Sequence, residues 1–317
     1  MAPMAGITDR AYRVWMRQLS APAVVTELVS SDSFYHGNRR SREMLRVTPE
    51  EGPCGVQIFG ANPLHMAAAA QYAASHGAAF IDINFGCPVP KVTKAGGGSG
   101  ALLNLPKMRE VIRSVRQAIS IPLSIKSRLG WDAERIVADQ VSQLAHEEGV
   151  NWYVLHARTR EQGYHGSNNW EYTEQLSENS PCPIVGNGDI HNANQARALW
   201  HSGKFSGIMV GRAALVNPCL FSQMEHPELA LPTIFELLEH FLDLTVRITP
   251  PKIQAVHFKK CALWMSYSKP NSQNFRKRLL QEAVSINDVL AISRDFYAVD
   301  ECPESPRELS FLKGGHG

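Results

Sequence analysis

The chain is short of the features that mark secreted, membrane-spanning or metal-stapled proteins. Its six cysteines, Cys54, Cys87, Cys182, Cys219, Cys261 and Cys302, stand far apart, with no Cys-x-x-Cys pair and no Cys/His ligand spacing. A disulfide framework and a structural zinc site are therefore not expected, and the thiols should be reduced, as in a cytoplasm. No apolar run approaches the roughly 18 residues that a bilayer span needs. The opening Met-Ala-Pro-Met is not a basic stretch followed by an apolar one. A cytoplasmic protein without a membrane partner is the expectation, and no obligatory protein partner is evident. There is no internal repeat and no low-complexity tract. A net charge of +2 is too small to announce a nucleic-acid partner by itself.

What is present is core-forming sequence. At 317 residues and 44% hydrophobic, the chain can bury one large core and a smaller second one. Short strand-like runs alternate with longer helix-like runs over its first two thirds, the pattern of βαβ units and a parallel sheet. Strands are expected near Met1–Pro3, Val24–Glu27, Gly55–Phe59, Phe80–Asn84, Pro122–Arg128, Trp152–His156, Ile184–Gly186 and Gly207–Val210. That number of strands predicts a closed (β/α)8 TIM barrel rather than an open sheet. Helices are expected over Pro63–His76, Pro106–Ile119, Ala133–Glu148 and Asn192–His201, several opened by Pro, Asp or Asn.

The alternation ends near Asn217–Pro232. From Thr233 to Tyr297 the sequence reads as amphipathic helices with a breaker at Ser268-Lys269-Pro270-Asn271, and Asp300–Gly317 reads as a frayed tail. The expected organisation is a barrel domain over 1–225, a smaller all-helical C-terminal domain over 233–298, and a disordered tail over 300–317.

The run Phe80-Ile81-Asp82-Ile83-Asn84-Phe85-Gly86-Cys87-Pro88 delivers a cysteine onto a tight turn ahead of the glycine-rich Ala95-Gly96-Gly97-Gly98-Ser99-Gly100. Reactive groups of barrel enzymes sit on such loops, although most loop cysteines carry no chemistry. Polar residues end the other strands too: Gln57, Asn84, Lys126, Arg128 and His156. Each alone reads as a strand cap or a hydrogen-bonded structural residue. Together they fall on the C-terminal face, where barrels carry out their chemistry. The last two strands end in Gly186-Asn187-Gly188-Asp189 and Gly211-Arg212. Loops in these positions bind phosphate through backbone N–H groups and arginine. The competing reading is that the glycines only permit tight turns.

The helical region interleaves Lys252, His257, Lys259, Lys260, Lys269, Arg276, Lys277 and Arg278 with Trp264 and Tyr267. RNA backbones attract such surfaces and flat side chains stack on bases. A solvated helix face with Trp264 in the core accounts for the same pattern.

In these motifs, and in Ala2-Pro3-Met4-Ala5-Gly6-Ile7-Thr8-Asp9, Gln57-Ile58-Phe59-Gly60, Lys126-Ser127-Arg128-Leu129-Gly130-Trp131 and His156-Ala157-Arg158-Thr159, the chain resembles the tRNA-dihydrouridine synthases. The resemblance is dense over the first ~215 residues and loose beyond, where the family keeps its tRNA-binding domain. It implies FMN as cofactor, NADPH as electron donor and tRNA as partner. Carried over, Pro3, Met4 and Ala5 would line the flavin ring, Gln57 and Lys126 would hydrogen-bond it, and His156 would lie beside it. Asn187, Gly188, Asp189, Gly211 and Arg212 would hold its phosphate. Cys87 would donate a proton to the substrate, and Asn84 and Arg128 would hold the target uracil.

Two departures from the family stand out. Only Met1 precedes the Ala-Pro-Met motif, where several residues are usual, and Ala157 stands where glycine commonly follows the histidine. Two rivals explain part of the pattern. One is a flavin-dependent dehydrogenase of a free pyrimidine, which would not require the basic helical domain. The other is a tRNA-folding helper with secondary catalysis.

Overall fold

The computed structural model describes residues 1–270 and 272–297; the expected tail over 300–317 lies outside them. The chain forms a curled parallel sheet wrapped by helices, a (β/α)8 barrel, followed by a helical region. The strands are β1 (Val24–Val25), β2 (Val29–Ser30), β3 (Cys54–Phe59), β4 (Phe80–Phe85), β5 (Leu123–Arg128), β6 (Trp152–His156), β7 (Ile184–Asn187) and β8 (Gly207–Met209). They run in the order β1-β3-β4-β5-β6-β7-β8, with β2 also on β3.

Six of the expected strands form close to their expected bounds, and two do not. Met1–Pro3 makes no strand. It ties the seam instead, through Met1 N to Ala23 O at 2.9 Å and Ala2 N to Val210 O at 2.7 Å. Val24–Glu27 is not one strand but the first part of an interrupted one. Thr26 turns its hydroxyl to accept the Gln57 N–H at 3.0 Å, which breaks the ladder before pairing resumes at Val29.

Helix starts follow capping chemistry. Asn62 caps Pro63–Ala74, Asn104 caps Leu105–Ala118, Asn192 caps Ala193–His201, and Thr233 with Glu236 forms a capping box for Ile234–Ile248. The helix expected from Ala133 starts only at Ala138. Asp132 holds Arg135 in a turn at 2.6 Å, and Ile136 bridges back to Gly130.

Alternation of side chains along each strand sorts the residues into two layers. Outward-facing Val56, Ile58, Ile81, Ile83, Leu123, Ile125, Tyr153 and Leu155 pack with the surrounding helices in one buried cluster. Inward-facing Val25, Val154 and Met209, with Ala2 and the flanking Phe80, Trp152 and Val185, plug the barrel. Gly55 makes room for this plug, since a Cβ there would meet the Phe80 ring at 2.1 Å.

The helical region comprises Ile234–Ile248, Pro251–Met265, Ser272–Glu282 and Ile286–Tyr297. It shares one apolar cluster with the first helix, Arg10–Gln18. Tyr12 meets Trp15, Phe241 and Trp264 edge-on at 5.7, 6.0 and 6.3 Å. Trp264 is only 8% exposed, so the core reading of that residue is the correct one. Among the described residues no helix is long and apolar enough to cross a membrane.

Beneath this contact Arg13 enters a fully buried ion pair, its Nε donating to Glu51 Oε2 at 2.7 Å. Glu51 also caps its own turn by accepting the Thr48 N–H at 2.8 Å. Arg13→Met leaves the buried Glu51 carboxylate to the longer contact with the exposed Arg10 Nε at 3.6 Å, so it should destabilise the protein by up to about 3–5 kcal/mol in urea unfolding. Adding Glu51→Gln should recover part of that loss, because the poorly compensated charge goes while the cap remains. A second substitution that deepens the loss would show that the charge is not the source of the cost.

Candidate active site

Register decides which side chains meet. Along the parallel ladder Gln57, Asp82 and Ser124 stand side by side, Asn84 stands beside Lys126, and Arg128, His156, Asn187 and Met209 form a row. All but Met209 are polar, and these side chains lie at the C-terminal end of the barrel above the apolar plug. Gln57, Asn84, Lys126, Arg128, His156, Asn187 and Met209 open into a cavity of about 550 Å³, with Asp82 and Ser124 outside its lining.

The lower polar level is a hydrogen-bonded chain. Ser124 Oγ and Gln57 Nε2 both reach buried Asp82, each at 2.6 Å. Asn84 Nδ2 donates to Gln57 Oε1 at 2.9 Å. Asn84 Oδ1 in turn accepts the Gly86 and Cys87 N–H groups at 3.1 and 2.8 Å, which fixes the turn that carries the thiol. Burial raises the Cys87 thiol above its ordinary pKa; the Val89 backbone and the Arg128 and Lys126 charges oppose this without reversing it. The thiol is therefore protonated at neutral pH. Burial also raises the Asp82 carboxyl, against the hydrogen bonds of Ser124 and Gln57 and the charge of Lys126.

Above this chain the site is cationic. Burial, then the neighbouring Arg128, lowers the Lys126 ammonium to about 8, against the pull of Asp82 and Cys87. Lys126 lines the cavity and has no hydrogen-bond partner among the described residues. Arg128, only 3% exposed, is spent mostly on structure. Its Nε donates to Gly86 O at 3.0 Å and its Nη1 to Thr159 O and Gly163 O at 2.9 and 2.7 Å. Burial lowers its pKa to about 10. His156 falls well below its ordinary range, first through burial and then through Arg128, Lys126, Arg158 and Arg212. At neutral pH it is an uncharged imidazole, with one N–H to donate and one nitrogen to accept.

The two terminal loops form the far wall. Asn187 Nδ2 donates to Met209 O at 2.7 Å, which joins the end of β7 to the end of β8. Gly188 has φ +132°, and a Cβ there would meet Asn168 Oδ1 at 2.9 Å and His156 Cδ2 at 3.1 Å, so only glycine fits. Asp189 follows at φ +36° and is held by Arg158 at 2.5 Å and Arg212 at 2.7 Å. Burial alone would raise this carboxyl, but the two guanidinium groups outweigh it and keep it ionised. Tyr164 lies between cations, with Arg212 5.1 Å and Arg128 5.5 Å from its ring centroid. Next to the β8 end, which Ala2 N reaches through Val210 O at 2.7 Å, Pro3, Met4 and Ala5 form the apolar strip, on a turn where Thr8 hydroxyl and amide groups pair with the Met4 backbone.

The catalytic, cofactor and substrate candidates singled out from sequence thus line one cavity: Pro3, Met4, Ala5, Gln57, Asn84, Cys87, Lys126, Arg128, His156, Asn187, Gly188, Asp189, Gly211 and Arg212. Lys126, Arg128 and Arg212 face it against one lining carboxylate, Asp189. The arrangement suits a flat, partly apolar, anionic molecule with a protonated thiol at its edge. Sequence reasoning passed over Asp82, Arg158 and Tyr164. The signal for Asp82 was available, because it breaks an apolar run and shares strand parity with Asn84. Arg158 and Tyr164 sit in the irregular loop after β6, which no periodicity marks.

The family model described as dihydrouridine synthase matches residues 1–296. The tRNA-dihydrouridine synthase B of Xanthomonas axonopodis is 32% identical over 307 residues, covering 94% of this chain and 92% of the relative. That of Pseudomonas aeruginosa is 35% identical over 253 residues, covering 77% of this chain and 76% of the relative. A probable tRNA-dihydrouridine synthase 1 of Synechocystis is 33% identical and covers 88% of this chain and 81% of its own length. Among solved structures, the old yellow enzyme homologue of Zymomonas mobilis superposes with a TM-score of 0.51 at 13% identity, covering 73% of this chain and 86% of its own. That likeness is one of barrel fold. The chain belongs to the dihydrouridine synthase family, enzymes that reduce uridine in tRNA to 5,6-dihydrouridine.

Proposed function

We propose that this chain reduces uridines of tRNA with FMN seated in the barrel cavity, NADPH as electron donor and Cys87 as the proton source, in a cytoplasmic setting. The observation that carries the reading is one cavity that joins a protonated thiol, amide donors and three lining cations to the Pro3–Ala5 strip, in a chain of this family.

FMN fits what the cavity offers. The Lys126 ammonium has no hydrogen-bond partner among the described residues and is ready for a polar edge of the ring system. Gly188 leaves the backbone bare where a Cβ would intrude. Arg212, drawn to Asp189, stands at the end of the cavity where the last two loops would meet a phosphate. Pro3, Met4 and Ala5 supply an apolar surface for a flat ring. Bound there, a flavin would supply the two-electron transfer from NADPH to carbon 6 of the uracil.

The remaining work falls to the protein. Charge that develops on the uracil oxygens is met by Lys126, Arg128 and the spare N–H of Asn84. Cys87 holds the proton that carbon 5 needs, and burial keeps that proton on sulfur until it is used.

We read residues 1–225 as the catalytic domain and 233–298 as the tRNA-binding domain, with corrections to the basic face. Lys259 is engaged by Ala283 O, Lys260 reaches Gly6 O at 3.4 Å, and Arg276 lies over the Tyr267 ring at 4.3 Å. Lys252, Lys277 and Arg278 are exposed. A groove of about 300 Å³ where the barrel meets the helices is lined by Arg10, Arg13, Arg40 and Arg46, by the carboxylates Asp9, Glu27 and Glu43, and by Pro250, Ile253 and His257. RNA phosphates laid along it would meet both parts of the chain.

Three outcomes test this reading. Cys87→Ala should keep its flavin and its reduction by NADPH but lose about 10²–10⁴-fold in uridine reduction by single-turnover assay with tRNA. Wild-type turnover would remove Cys87 from the mechanism, and free uridine reduced as well as tRNA would favour a small-pyrimidine dehydrogenase.

The second test is FMN affinity, measured by fluorescence titration from about pH 6.5 to 9.5 on the apoprotein. The Lys126 ammonium is charged below about 8 and neutral above it, so affinity should fall as pH rises through that value. Lys126→Met should bind more weakly at pH 7 and lose this limb of the profile; a parallel profile would place the titrating group elsewhere.

Third, reversing Arg40, Lys252 and Lys277 to glutamate should weaken tRNA binding and flatten the log–log salt slope by roughly 0.7–0.9 per lost phosphate contact. Flavin reduction by NADPH, which needs no RNA, is the control. An unchanged slope would move the RNA to another face.

A further inference from the structure

The hydrogen-bonded chain under the cavity has a direction that neither end can reverse. At one end, the Asn84 carbonyl oxygen meets two backbone N–H groups, which only donate. Its NH2 must therefore face Gln57, and the Gln57 oxygen must face Asn84 at 2.9 Å. That turns the Gln57 NH2 to Asp82, where only an acceptor can satisfy it, at 2.6 Å. Asp82 supplies that acceptor, steadied on its other oxygen by Ser124 at 2.6 Å. Gln57, Asp82 and Ser124 are each 1% exposed or less, so no water can take over a missing contact.

We propose that Asp82 is the positioning residue of the active site: its acceptor oxygen sets the orientation of the Gln57 and Asn84 amides and, through Asn84, the turn that holds Cys87. Each amide keeps one N–H uncommitted, so the cavity is lined at this level with donors of fixed orientation. The polarity that Asp82 imposes selects for a ligand edge that accepts hydrogen bonds, such as a ring carbonyl. The inference rests on the reading that Cys87 delivers the proton, and its test is separable from that reading.

The acceptor, not the charge, is what the chain requires. In Asp82→Asn the new carbonyl can face Gln57 while its NH2 faces Ser124, whose hydroxyl accepts and still has Ile81 O within 3.4 Å as its own acceptor. In Asp82→Leu the acceptor is gone. Hydrogen exchange of the Gly86 and Cys87 amides reads the relay without reference to activity. Exchange there should rise by about tenfold or more in Asp82→Leu and remain at the wild-type level in Asp82→Asn, with the rest of β4 unchanged in both.

Uridine reduction in single turnover should fall by about 10- to 100-fold in Asp82→Leu, whereas Asp82→Asn should stay within about threefold. Because Asp82→Leu leaves the Ser124 hydroxyl only the long contact to Ile81 O at 3.4 Å, the double variant Asp82→Leu/Ser124→Ala, apolar at both positions, serves where the single variant does not fold. Selective exposure of Gly86 and Cys87, rescued by asparagine, is the expected result. Uniform loosening of β4, or an Asp82→Asn variant as impaired as Asp82→Leu, would overturn the proposal. If Cys87→Ala proves fully active, the proton-donor reading fails while the amide exchange still decides the relay.

Discussion

Everything in the active site depends on strand parity in a parallel barrel. Side chains alternate in and out, so a slip of one residue would send Gln57, Asp82, Asn84 and Lys126 into the helix-packed outer layer. It would also send Ile58, Ile81, Ile83 and Ile125 into the cavity. Those isoleucines are fully buried against the surrounding helices, and at about 25 cal/mol per Å² of apolar surface their exposure would be prohibitive. The site's geometry is therefore enforced by the packing of the opposite face. Polar residues that favour no fold by themselves are carried into register by apolar neighbours that do.

The same burial sets the electrostatics. Lys126, Arg128 and Arg158 are cations held in a mostly apolar interior, and the first two have pKa values lowered to about 8 and about 10. Arg158 and Arg212 share one carboxylate in direct contact, Asp189, whereas Lys126 feels Asp82 only through its charge. A protein optimised for stability alone would not leave Lys126 without a hydrogen-bond partner among the described residues; sites that break local rules in this way are where function is expected. Asp189 shows the compensation at close range. It adopts a left-handed backbone that few non-glycine residues accept, and two guanidinium groups hold it there.

Much of this was legible beforehand because it is periodic. The runs ending in Phe59, Asn84, Arg128 and His156 combine β-forming residues with a polar terminus, and register brings those termini together. What was not legible depends on contacts across the sequence. Met1–Pro3 has the apolar character of a strand but lies at the seam, where two backbone hydrogen bonds replace a ladder. Thr26 breaks β1 from β2 with a side-chain oxygen that mimics a backbone acceptor, a substitution no propensity records. Arg158 and Tyr164 acquire their roles only when the loop after β6 folds over Asp189 and the barrel mouth. From sequence Trp264 is open to both an RNA and a core reading, and the decision comes from Tyr12, some 250 residues earlier.

The helical region and the cavity are linked by the segment that begins the chain. Pro3, Met4 and Ala5 line the cavity, and Asp9, four residues further on, caps the helix Arg10–Gln18 through Oδ1, accepting the Tyr12 N–H at 2.8 Å. Its other oxygen pairs with His257 of the helical region. One carboxylate therefore references the cavity wall, the first helix and the helical region to one another. Tyr12, Trp15, Phe241 and Trp264 extend this connection as a shared aromatic core. On the proposed reading, an RNA held by the helices delivers one unstacked base to Cys87, and reaction rates are sensitive to misplacement on the scale of an ångström. A loose linker could not hold that distance. A common core can, and this accounts for the large apolar area the chain spends on joining the two parts.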